Sequence, residues 1–80
     1  MSFDEAVRWF SGVAWHGSTI RVRAVMRDGE QTFHDRVVGA VVQRDCTCGD
    51  YASVSGLSGI NVIFRLDQIV QHELCEKGAS

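Results

Sequence analysis

Residues 19–43 read "TIRVRAVMRDGEQTFHDRVVGAVVQ", and the period of that stretch decides the fold class. Side chains on a strand alternate between two faces. Ile20, Val22, Ala24 and Met26 therefore share one face, and Arg21, Arg23, Val25 and Arg27 share the other. Asp28–Gly29 signals a two-residue hairpin loop, because both residue types tolerate positive φ. The return strand is expected from Glu30 to Gln43, with Gly39 marking a bend or bulge in its middle. Such a loop sets Arg27 opposite Glu30, Val25 opposite Thr32, Arg23 opposite His34 and Arg21 opposite Arg36. The last of these pairs juxtaposes like charges, which destabilises a sheet.

On the N-terminal side a helix is expected over about residues 2–11. Ser2 and Glu5 form an S-x-x-E capping box, in which each side chain satisfies a backbone N–H at the helix start. Phe3, Ala6, Val7 and Phe10 recur at i, i+3, i+4, i+7, and Gly12 is the expected stop. A helix of that length is marginal alone in water, so its apolar stripe must pack on the sheet. On the C-terminal side "RDCTCGD" is a turn, "YASVSG" a third strand, "LSG" a turn, and Ile60–Leu66 a fourth strand. At "RLDQI" the chain turns a corner into a fifth. Leu66 and Ile69, three apart on a 3₁₀ turn, are expected on the buried side, with Asp67 capping the turn and Arg65 pointing away. The expected fold is mainly β, with a short N-terminal helix on a strongly bent five-stranded antiparallel barrel. The barrel spans about residues 18–74 of one domain, and closure would nearly remove its open edges.

Eighty residues and 45% hydrophobic content describe one globular domain with a thin stability margin, so a homo-oligomer is one expected state. A net charge of −2 argues against nucleic-acid binding by bulk charge. The charge is uneven. Residues 19–44 hold Arg21, Arg23, Arg27, Arg36 and Arg44 against Asp28, Glu30 and Asp35; residues 45–80 hold Arg65 and Lys77 against Asp45, Asp50, Asp67, Glu73 and Glu76. The N-terminus "MSFDEAVRWF" lacks a basic n-region and a long apolar run, which predicts a cytoplasmic protein with no membrane segment. An odd count of three Cys fits a reducing compartment.

Several residue sets are candidate sites. Arg21, Arg23, His34 and Arg36 would form a basic sheet face for phosphate, RNA or an acidic protein patch, since guanidinium groups grip such anions bidentately. The ordinary alternative is a solvated face whose arginines splay with the strand twist. Cys46, Cys48, His72 and Cys75 offer four zinc-type ligands, but C-x-C spacing is poor for a structural site, and no metal is expected. His34 has no nucleophile to activate, and Ser53, Ser55 and Ser58 lie outside any nucleophile-elbow pattern. The expectation is a non-enzymatic module without a cofactor. Trp9 lies off the helix stripe and Trp15 and His16 in the link that follows; both Trp residues are expected to cover the open end of the barrel, with Trp9 as a partner anchor the alternative.

Two stretches, "IRVRAVMRDGEQ" (20–31) and "YASVSGLSGINVIFRLDQIVQ" (51–71), together about half the chain, resemble the bacterial Rho-binding antiterminator (Rof) family, which has the Sm-like fold. The resemblance lies in the D-G-E turn and, most specifically, in Phe64 to Ile69, "FRLDQI". It implies an Sm-like barrel that binds the transcription termination factor Rho and hinders its access to RNA. A surface that occupies an RNA site should be acidic, and Asp67 and Glu73 are the candidate residues for it. Sm proteins that bind RNA in rings carry R-G at the corner, where this chain has Arg65–Leu66. Similar corners occur in WYL-type ligand-sensing modules. An Sm-like homo-oligomer binding nucleic acid or a small ligand is therefore the alternative.

Overall fold

A computed structural model describes residues 1–45 and 49–75. Along the chain run α1 (Phe3–His16), β1 (Thr19–Met26), β2 (Gly29–Gln43), β3 (Tyr51–Gly56), β4 (Asn61–Arg65), a 3₁₀ turn (Leu66–Gln68) and β5 (Ile69–Leu74). The strands pair antiparallel in one sheet of order β4-β3-β2-β1-β5. The expected barrel does not close. β4 and β5 lie at opposite edges of the sheet, joined only through the 3₁₀ turn. That corner is tied elsewhere: the Leu66 N–H donates to the Asp50 carbonyl at 3.0 Å, anchoring it to the entry of β3. Leu66 is buried and Ile69 packs partly buried on the core, as their spacing predicts. Asp67 is exposed, however, and the turn carries no side-chain cap.

The capping box forms as read. Ser2 Oγ accepts from the Glu5 N–H at 3.1 Å, and Glu5 Oε1 accepts from the Ser2 N–H at 3.4 Å. The helix then runs past Gly12 to His16 and ends at Gly17, which adopts φ 62° and ψ 40°. Val13 explains the extension, since it is buried against the sheet and rewards another turn of helix. At the stop, the Gly17 N–H donates to the Ala14 carbonyl and the Ser18 N–H to the Val13 carbonyl, a Schellman motif.

The first hairpin turns one residue earlier than the Asp–Gly signal predicts. Met26 pairs with Gly29, so Arg27 and Asp28 form the loop, and neither has positive φ. Gly29 takes the positive φ instead, at 151°, as the first residue of β2. The register is therefore displaced by two residues, which keeps every side chain on its expected face. Val25 meets Glu30, Arg23 meets Thr32, Arg21 meets His34, and Arg36 meets Thr19. This displacement removes the Arg21–Arg36 clash that the expected register contained.

β2 is long enough to serve both halves of the sheet, pairing with β1 up to Arg36 and with β3 from Val37 onward. The register shift between Val37 and Gly39 is the bulge anticipated at Gly39, and it bends the sheet over α1. Phe10, Phe33, Phe64, Ile20, Val22, Val37 and Val54 fill the concave side. No helix among the described residues is long and apolar enough to cross a membrane.

Candidate functional site

Alternation places Arg21, Arg23, His34 and Arg36 together on the convex face of β1 and β2, but acids accompany them. Arg23 Nη1 lies 2.9 Å from Glu30 Oε2, an ion pair between half-exposed side chains. The Arg23 Nε is shielded from solvent without a partner. Arg21 stands between His34 on β2 and Glu73 on β5. Arg36 is committed to architecture: its Nε donates to the Gly17 carbonyl at 2.8 Å, capping the C-terminal end of α1. A guanidinium at a helix C-terminus sits where the backbone dipole is negative. The convex face is thus a charge-compensated surface rather than an open row of cations.

The acidic candidates do not form one surface. Glu73 belongs to the convex face beside Arg21, whereas Asp67 sits in the 3₁₀ corner before β5, with about 13 Å of strand between that corner and Glu73. Asp67 instead borders a depression of about 360 Å³ that Asp50, Phe3 and the chain start also line. Of the zinc-type set, Cys46 and Cys48 lie outside the described residues. His72 packs edge-on against Trp9, with ring centroids 4.8 Å apart, and Cys75 is a free thiol. Among the described residues no three His, Cys, Asp or Glu side chains gather as metal ligands.

The serines serve the β3–β4 connection, and here the sequence reading missed a residue. Asp35, on the concave side of β2, reaches the turn: its Oδ2 accepts from the Ser58 hydroxyl at 2.6 Å and from the Ser58 N–H at 3.1 Å. Its Oδ1 accepts from the Arg36 N–H at 2.7 Å. The Ser58 hydrogen bonds, then that of Arg36, hold the Asp35 carboxyl below the ordinary carboxylate range against a small opposing cost of burial. Gly56 makes room for this contact; a Cβ there would press on Asp35 Oδ2 and come within 3.0 Å of Asp35 Cγ and 3.1 Å of Phe33 Cζ. The only sequence signal was a lone acid on an apolar-facing strand position.

The two tryptophans part ways. Trp9 is half-buried, held edge-on between Phe10 and His72. Trp15 lies on the last turn of α1 rather than in a link and is 85% exposed, so it covers nothing. Between α1 and β5 runs a groove of about 230 Å³, whose walls include Trp9, Gly12, Val13 and Leu74 with Arg8 and His16 at its sides. A second depression adjoins it at Arg8 and Trp9. Leu74 explains the groove. It alternates with His72 onto the concave side, yet α1 leaves it 54% exposed.

Comparison with models of known protein families, with curated proteins and with solved structures finds no match to this chain.

Proposed function

We propose that this chain is a non-enzymatic, cytoplasmic binding module whose partner is a protein, with a Rho-type transcription termination factor as the named candidate. The observation that carries protein over RNA is the compensation of the convex face. Arg23 is paired with Glu30, Arg21 stands beside Glu73, and Arg36 caps α1, whereas phosphate recognition needs guanidinium groups free to donate bidentately. The Sm-like assignment belongs to the same proposal. A capped helix, five antiparallel strands and a 3₁₀ corner before the last strand support it, together with the "FRLDQI" resemblance.

Direct titration of the purified chain against purified Rho tests the reading. Saturable binding is expected, weakened by Asp67→Arg or by Glu73→Arg. Because these acids lie far apart, the two substitutions report on different surfaces. Filter binding with a short RNA at low salt is expected to detect no complex. An RNA complex that weakens steeply with salt, and weakens further in Arg21→Ala, would overturn the protein reading. The two sheet edges left unpaired among the described residues, β4 and β5, favour one further reading, a homo-oligomer assembled by strand pairing. Sedimentation at high concentration tests it, with a monomer as the result that removes it.

A further inference from the structure

Three features of the α1–β5 side converge. Among the described residues β5 pairs with β1 alone, so its other edge presents backbone N–H and C=O groups that no described strand pairs. Leu74 is an inward-facing apolar residue that the fold leaves uncovered. A groove opens beside it, floored by Trp9, which His72 of β5 holds edge-on. Gly12 forms a notch in the helix wall, where an added Cβ would meet nothing within 4 Å. Arg8, Gly12 and His16, spaced i, i+4, i+8, run along the helix wall of the groove, so a guanidinium and an imidazole flank that notch.

We propose that the α1–β5 groove receives an extended segment of a partner protein, added as a strand to the free edge of β5, with an apolar side chain beside Trp9 and Leu74 and a carboxylate beside Arg8. The inference rests on the protein-binding reading and adds a contact of opposite charge to the one expected at Asp67 and Glu73. An added strand satisfies the edge through backbone hydrogen bonds and directs alternate side chains to the groove. The apolar position follows from the Trp9, Val13 and Leu74 walls. The acidic position follows from charge. Among the described residues Arg8 and His16 line the groove and no acid does; Glu5 lines only the adjoining depression, where it accepts from the Ser2 N–H at 3.4 Å. Trp9 in the groove is the residue type that concentrates binding energy when it becomes covered.

The probe is a short labelled synthetic peptide alternating carboxylate-bearing residues with valine and leucine, compared with one in which lysine replaces every acid. Fluorescence anisotropy is expected to show binding of the acidic peptide and at least about ten-fold weaker binding of the lysine peptide. Amide shifts in the chain should concentrate on 69–74 and on the Arg8–His16 stretch of α1. The decisive variant is Gly12→Leu, which replaces a helix-interior glycine by a strong helix former while filling the notch. It is expected to raise the melting temperature and to weaken the acidic peptide by about ten-fold or more, opposite effects that a folding defect cannot produce. Arg8→Gln should weaken the acidic peptide with an unchanged melting temperature, whereas Trp15→Ala, outside the groove, should leave binding unchanged. The proposal is overturned if the two peptides bind alike, if the shifts map elsewhere, or if a second copy of the chain occupies the β5 edge. A partner protein that binds wild type and Gly12→Leu equally also sinks the groove, while leaving the protein-binding reading intact.

Discussion

The two hairpins of this sheet are held by different means. In the first, β1–β2, the Arg27–Asp28 loop is local, and its flanks carry an exposed Arg23–Glu30 ion pair on the convex face. In the second, β3–β4, the turn is fastened from outside. Asp35 of β2 binds Ser58, and the Leu57 N–H donates to the Arg36 carbonyl at 2.9 Å; the turn's own closure is the Gly56 N–H donating to the Ile60 carbonyl at 2.8 Å. The first hairpin is specified by its own residues. The second depends on a carboxylate 23 positions upstream, so its stability should be coupled to the rest of the sheet and to pH.

The largest expected effect ignores the distinction. Phe33→Ala empties the fully buried ring next to Asp35 and should destabilise both hairpins together, by about 3–5 kcal/mol in urea unfolding. Gly56→Ala should be next, toward the upper end of about 1–3 kcal/mol, because Asp35 must abandon Ser58 to make room. Its amide exchange should rise in 51–65 before it rises in 19–36, and equal rises would break the comparison. Gly29→Ala, at φ 151° but with open space around it, should cost toward the lower end of about 1–3 kcal/mol and act on the first hairpin.

Acid sharpens the contrast. The folded state depresses the Asp35 carboxyl, so its stabilisation is fully present above the ordinary value of 3.8 and is lost as pH falls from there through the folded value. Ser58→Ala removes the main cause of that depression and should flatten the acid limb of the melting curve. An acid limb unchanged in Ser58→Ala would show that Asp35 does not fasten the turn. Glu30→Gln should have the smallest effect, about 0.2–1 kcal/mol and screened by salt, because both partners of its ion pair are substantially hydrated.

Much of the fold was legible because it follows from short-range rules. Period-two alternation marked the buried residues Ile20, Val22 and Ala24, the capping box marked the helix start, and Gly39 marked the bulge. The candidate site was less legible. The arginines do share one face, but the sequence pairs Glu30 with Arg27 rather than Arg23, assigns Glu73 to a separate acidic surface and offers no sign of Arg36 reaching Gly17. A stop at Gly12 puts Trp15 in a linker; because Val13 extends the helix, the same residue lies exposed on its last turn.

By itself the sequence determined one apolar and one polar face per strand, the start of the helix, the strand count and the 3₁₀ corner, since each depends on neighbours within a few residues. Only the tertiary structure decided the rest. The register of β2 was set by where Phe33 could oppose Val22 while Arg36 avoided Arg21. The sheet stays open with β4 and β5 at opposite edges, and the Asp35–Ser58 fastening and the uncovered Leu74 followed from how β2 and α1 lie across the fold. Those outcomes turn on contacts between residues far apart in the chain, whose formation depends on packing and loop closure rather than on any local pattern.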